Sequence, residues 1–347
     1  MATRPPPPAA DFCTVISESR RILKAHSRHF LALTVLFLLP LSFSIVIYPT
    51  LHRLLLNSSS SSNPFLDQAL LGRSPLLLSP LNQPPQQHQQ SSVDARSVLI
   101  GAGYTCFLTL LSISATCSIT HSVIQGFQGR PVELLSAIKS IGTSFFPLLA
   151  TLICTQVIIS SIVIASGILF LILIGAELAI GHEISYSSPF SLGLVASIVV
   201  VLLLVVTYLQ VQWVLSKVVV VAESGYGFSA LRRSAYLVEG MKGVALSLML
   251  FFGVLSGLLV WAGSRTWATA IDWNEWSWPF VVQIMEASIC LALLMLLSLA
   301  ANAVLYMYCK ALHGETAGET AREFAREYVS LPFDDEKVPH LVTVADA

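Results

Sequence analysis

Apolar residues gather in six long stretches, at 30–48, 98–123, 145–175, 192–221, 244–263 and 279–305, with polar segments between them. A helix rises about 1.5 Å per residue, so about 20 apolar residues cover a ~30 Å hydrocarbon core. Every stretch is long enough. Lipid offers no hydrogen-bond partner to the backbone, so such segments cross as helices that satisfy their own amides. The pattern predicts an all-α polytopic membrane protein with six transmembrane helices.

A second periodicity precedes alternate stretches. In 11–29, Phe12, Val15, Ile16, Ser19, Ile22, Leu23 and His26 recur near a 3.6-residue period, while Arg20, Arg21, Lys24 and Arg28 fall mainly elsewhere. Arg130-Pro131 opens a similar segment with Val132, Leu135, Ile138 and Ile141 on one side. Phe228, Leu231, Ala235 and Val238 likewise face away from Arg232, Arg233 and Glu239. The chain therefore reads as three units, each an amphipathic surface helix followed by a two-span hairpin. Internal repeats of this kind are frequent in membrane transport folds. Basic amphipathic helices beside a span suit the headgroup layer and favour anionic lipid, which makes Arg20, Arg21, Lys24, Arg232 and Arg233 candidate lipid contacts. Fixing topology is an equally good role for the first of them.

Composition agrees with the pattern: 54% of residues are hydrophobic and 11% charged, and the mean hydropathy is +0.73. Soluble domains carry about 25% charged residues, so lipid must cover this surface. The expected partner is the bilayer, anionic lipids included. No basic patch points to nucleic acid, and no cofactor motif is present. Of the 19 Lys and Arg, all but Arg53, Arg73, Arg96 and Arg265 fall on one side of the six stretches. The positive-inside rule places that side, with both termini, in the cytosol. The first stretch lacks a cleavage site and reads as a retained signal anchor. The expectation is a multi-pass protein of the secretory pathway (endoplasmic reticulum) or plasma membrane.

Three regions follow: a cytosolic tail and basic helix at 1–29, a six-span domain at 30–309, and a cytosolic tail at 310–347. The loop 49–97 holds the Ser58–Ser62 run and a Gln/Pro-rich run at 83–90, a composition expected to be disordered. Asn57-Ser58-Ser59 within it is a glycosylation sequon. The six cysteines show neither metal spacing nor a disulfide framework.

Candidate chemistry is sparse. Glu286 is a carboxylate well inside a span, and Gln283 lies one turn away. Gln156, Gln210 and Asn302 add amides in other spans. Intramembrane ionisable groups mark functional sites by default, although polar groups also serve as packing glue. Thr105, Thr109, Ser112, Thr116 and Thr120 form a hydroxyl face on span two, best read as an interior packing face. Gly253 and Gly257 form a GxxxG pair, which permits close helix approach. Trp261, Trp267, Trp273, Trp276 and Trp278 read as an interfacial belt in preference to a sugar platform. No G-x-S-x-G, Walker A or H-E-x-x-H pattern occurs, so catalysis has no support.

The segment Gly227-Phe228-Ser229-Ala230-Leu231-Arg232-Arg233-Ser234-Ala235-Tyr236-Leu237-Val238-Glu239-Gly240 resembles an element of the multi-span membrane domain attached to some bacterial glycerophosphodiester phosphodiesterases. That element reads small-Leu-basic-basic-Ser, then apolar and Gly, just before a span. With Ser19-Arg20-Arg21-Ile22-Leu23 before span one, the layout over 11–312 is similar to uncharacterised plant six-span proteins. His52-Arg53 matches a pair in the catalytic domain, but no glycine follows and no acidic metal cluster exists. The resemblance implies the membrane module without the hydrolase. Two functions stand as expectations. One is a non-enzymatic scaffold or lipid- or partner-interacting module. The other is a small-solute transporter or channel using Glu286 and the polar face of span two.

Overall fold

The computed structural model describes residues 11–48, 95–128, 134–179, 189–223, 225–272 and 278–315. Asn57, most of the loop 49–97, and the tail beyond Glu315 lie outside the described residues. So do the side chains of Trp267, Trp273, Trp276 and Trp278.

The described residues form nine helices: α1 (Phe12–Ala25), α2 (Ser27–Tyr48), α3 (Ala95–Phe127), α4 (Leu134–Ala179), α5 (Pro189–Gln212), α6 (Ser216–Glu223), α7 (Phe228–Val238), α8 (Lys242–Asp272) and α9 (Trp278–Leu312). Six segments among them are long and apolar enough to cross a bilayer: Ser27–Tyr48, Val98–Phe127, Leu135–Gly175, Gly193–Glu223, Lys242–Gly263 and Val282–Leu312. All six expected spans are present, and the protein is an all-α, multi-pass integral membrane protein.

Span six is the axis of the bundle. The α9 side chains Ala300, Ala301, Ala303, Val304, Leu305, Tyr306 and Cys309 are all buried. Its small residues let α8, α3 and α1 pack around it. At the end of the bundle that carries the basic residues, the His29 ring pairs with Ser122 Oγ at 3.0 Å, joining α2 to α3. At the opposite end the Tyr104 hydroxyl donates to the Ser44 carbonyl, and Tyr48 stacks on Tyr104 at 4.9 Å.

The amphipathic segments behave differently from one another. α1 is a separate helix, and its apolar stripe Val15, Ser19 and Ile22 is buried, mainly against α9. α7 likewise buries Ala230, Leu231, Ser234, Leu237 and Val238. Most of each apolar face thus meets protein, but Phe228, expected on the apolar side of α7, is exposed, as are Arg20, Arg21, Lys24 and Arg232. The middle segment is not a separate surface helix. It runs unbroken into span three as the first turns of α4, a helix of 46 residues. Apolar Leu135 and Ile138 are exposed there, while Ala137, Ser140 and Ser144 are buried, so polar residues line its inner side.

Packing is concentrated at the basic end. After Thr151 no described side chain of α4 is buried, and none is buried in α5 from Gly193 to Gln210.

Candidate functional site: a groove at two helix irregularities

Two of the spans are not regular α-helices. α2 contains a π turn at Thr34–Leu38, with Thr34 Oγ1 donating back to the Phe30 carbonyl at 2.8 Å. Span four is broken at Trp213–Leu215, between α5 and α6. No proline or glycine sits at the break. The surrounding structure holds it open instead. Ser216 donates its hydroxyl at 2.7 Å and its N–H at 3.0 Å to the Trp213 carbonyl. Ser234 of α7 donates at 2.8 Å to the Gln212 carbonyl, which the interrupted helix leaves without an i+4 amide.

Both irregularities face one groove of about 650 Å³, walled by α2, α3, α8, α9 and the α5–α6 junction. Ligand sites commonly enclose roughly 300–1,000 Å³. Irregular backbone at membrane depth is tolerated where it lines a cavity, and π turns recur at functional sites. Most of the wall is apolar, from Leu38, Leu41, Leu248, Phe252, Leu291 and Met295 among others. The polar lining includes Ser112, Gln210, Trp213, Lys217, Ser298 and Asn302. Lys217 alone carries a charge there, and no carboxylate pairs with it among the described residues. Gln210 and Lys217 are two helical turns apart, on either side of the break.

Of the candidate intramembrane residues, Gln210 and Asn302 come together in this groove. Glu286, Gln283 and Gln156 do not. All three are exposed on outer faces of α9 and α4. The groove is thus no continuous polar path from Glu286 to span two. The hydroxyls of span two are mostly spent on their own helix: Thr109, Ser114, Thr116, Ser118 and Ser122 each donate to the carbonyl four residues back, at 2.7 to 2.9 Å. Thr120 Oγ1 is buried without a partner among the described residues.

The glycine pair also departs from expectation. A Cβ built at Gly253 or Gly257 meets nothing within 4 Å, because both face the groove. The close approach falls at Gly263 instead, where a Cβ comes 3.2 Å from Val46 and 3.9 Å from Ala287.

Lys217 is the groove-lining charge that sequence reasoning misses. It lies inside the fourth apolar stretch but near its end, so it reads as a charge that sets topology. A signal was available: a lysine within an apolar window, with an aromatic four residues before it.

Beside the groove, the Gly227–Gly240 element forms a clasp. Both glycines have positive φ, 62° and 100°, and they bracket α7. Arg233 donates to Glu223 at 3.0 and 3.3 Å and also to Glu315. The bond to Glu315, then that to Glu223, raises the guanidinium pKa further above its ordinary value. Tyr306 donates to Glu223 at 2.8 Å, and Lys310 lies 3.9 Å from it. Arg233 is therefore turned toward the protein. Of the five arginines and lysines proposed for anionic lipid, Arg20, Arg21, Lys24 and Arg232 remain exposed.

Six spans, five of them lining one partly polar groove, define a polytopic α-helical membrane protein. The chain matches the family model Domain of unknown function (DUF8558) over residues 10–335, and it belongs to that family. No curated protein and no solved structure matches it.

Proposed function

We propose that this protein is a non-enzymatic, lipid-interacting membrane module that takes an anionic amphiphile into the groove. The observation that carries this is Lys217, an unpaired charge in a mostly apolar groove at a broken span. An exposed ammonium bordering the groove, near the basic end of span four, favours an anionic partner, and the apolar walls suit an acyl chain. The amides of Gln210 and Asn302 add hydrogen bonds to the headgroup. By the positive-inside rule the basic end faces the cytosol, in a membrane of the secretory pathway or the plasma membrane. The headgroup then comes from the cytosolic leaflet.

The test is mass spectrometry of lipids retained by the full-length protein in mild detergent. Wild type is expected to retain an acidic lipid, and Lys217→Gln to lose at least tenfold of it, as for a lost charge-assisted bond. Gly253→Phe fills part of the groove while leaving Lys217 in place, and it is expected to lose the same lipid. Equal retention in wild type and both variants overturns the proposal.

The paired irregularities of spans one and four also favour a second reading, a small-solute transporter working at this groove. Discontinuous helices at midplane sites are a feature of such proteins. A solute flux in proteoliposomes that Lys217→Gln or Asn302→Leu abolishes, with no retained lipid, selects it over lipid binding.

A further inference from the structure

A second cavity, of about 340 Å³, lies at the basic end between α3, α4 and α6, and it differs in character from the groove. One wall is the polar inner face of the first turns of α4: Ser136, Lys139, Ser140, Thr143 and Ser144. His121 of α3 faces them, and Val220 and Val221 of α6 complete the wall.

Many serines and threonines of α3 and α4 donate to carbonyls of their own helix, as Thr151, Thr155 and Ser161 do at 2.8 to 2.9 Å. Thr143 does so with Ser140 O at 3.0 Å. Ser140 and Ser144 do not. Each is only 8% exposed, each lines the cavity, and neither hydroxyl has a partner among the described residues. Both residues border an open cavity, so their hydroxyls are free to bond a ligand that enters it.

The chemistry of that ligand follows from the arrangement. Lys139 supplies an exposed cation that makes no ion pair among the described residues. His121 adds a ring held at 3.4 Å by the Gln125 amide. Ser136, Ser140 and Ser144 sit one turn apart and span about 12 Å of helix. A lone phosphate is too small to reach all of them. A ring or chain of hydroxyls bearing one phosphate has both the charge and the length. We propose that this cavity binds a phosphorylated polyol, with Lys139 and His121 on the phosphate and the three serines on the hydroxyls. The same chemistry occurs in a lipid headgroup and in a free metabolite. The site is separate from the groove and stands whether or not the groove holds a lipid.

The experiment uses the full-length protein in phosphatidylcholine nanodiscs. One arm adds phosphatidylinositol 4-phosphate to the disc and reads bound lipid by native mass spectrometry. The other titrates soluble inositol 1-phosphate by calorimetry. Binding in at least one arm is expected, and it falls about tenfold or more in Lys139→Gln and in Ser140→Ala/Ser144→Ala. Lys217→Gln, in the other cavity, is expected to leave it unchanged. Binding in the lipid arm alone identifies a headgroup site, whereas binding in the soluble arm identifies a metabolite site. Lys139 is exposed, so its variant reports on binding and not on folding. The proposal is overturned by no binding in either arm, by equal affinity in Lys139→Gln, or by equal loss in Lys217→Gln.

Discussion

Two glycines on the same helix have opposite roles, and only space distinguishes them. Gly253 faces the groove, so Gly253→Ala adds a methyl to open space and improves helix propensity. It is expected to stabilise the protein by roughly 0.5–1 kcal/mol. Gly263→Ala pushes against Val46 at 3.2 Å and is expected to cost about 1 kcal/mol or more. Thermal unfolding of both variants in the same detergent checks the pair, and equal shifts contradict the assignment. The sequence motif pointed at Gly253 and Gly257 because spacing says nothing about which neighbour is near. The same gap explains the polar candidates. Gln210, Asn302, Glu286, Gln283 and Gln156 were all legible as polar residues in apolar spans. Which of them face inward depends on the rotation of each helix. Spans apolar all round have no stripe to set that rotation.

At the scale of the element, α7 is a clasp over the break in span four. Its Ser234 caps Gln212, and its Arg233 joins Glu223 to Glu315. Arg233→Gln is expected to destabilise by about 1–2 kcal/mol, between the limits for exposed and buried pairs, since about a third of this side chain is exposed. Ser234→Ala leaves a carbonyl without its donor and is expected to cost about 1 kcal/mol. Both are read from unfolding midpoints in detergent, and an unchanged midpoint in both removes the clasp from the account of stability. The amphipathic stripes of α1 and α7 were legible because their periodicity is strong. Their occupant was not, since the same stripe serves a headgroup layer or another helix. The break at Trp213–Leu215 had no sequence signature. It depends on a serine 22 residues away along the chain.

For the whole molecule, six spans were legible because length and hydropathy are properties of the chain alone. The distribution of packing was not. Buried side chains gather at the basic end, around α9, α6 and the first half of α4. Hydrogen exchange in nanodiscs is expected to protect α9 from Ala300 to Cys309 most strongly, because opening it exposes the centre of the core. Earlier exchange there than in α1 contradicts this.

The uneven hold on α4 has a mechanical result. The helix is gripped between Ala137 and Thr151 and carries no buried side chain from there to Gly175. From Thr151 to Ala179 is roughly 42 Å at the usual helical rise. A rotation of about 10° at the gripped segment therefore carries the far tip about 7 Å. Ser140 and Ser144 lie within that grip, so whatever fills the cavity beside them sits at the short arm of a lever.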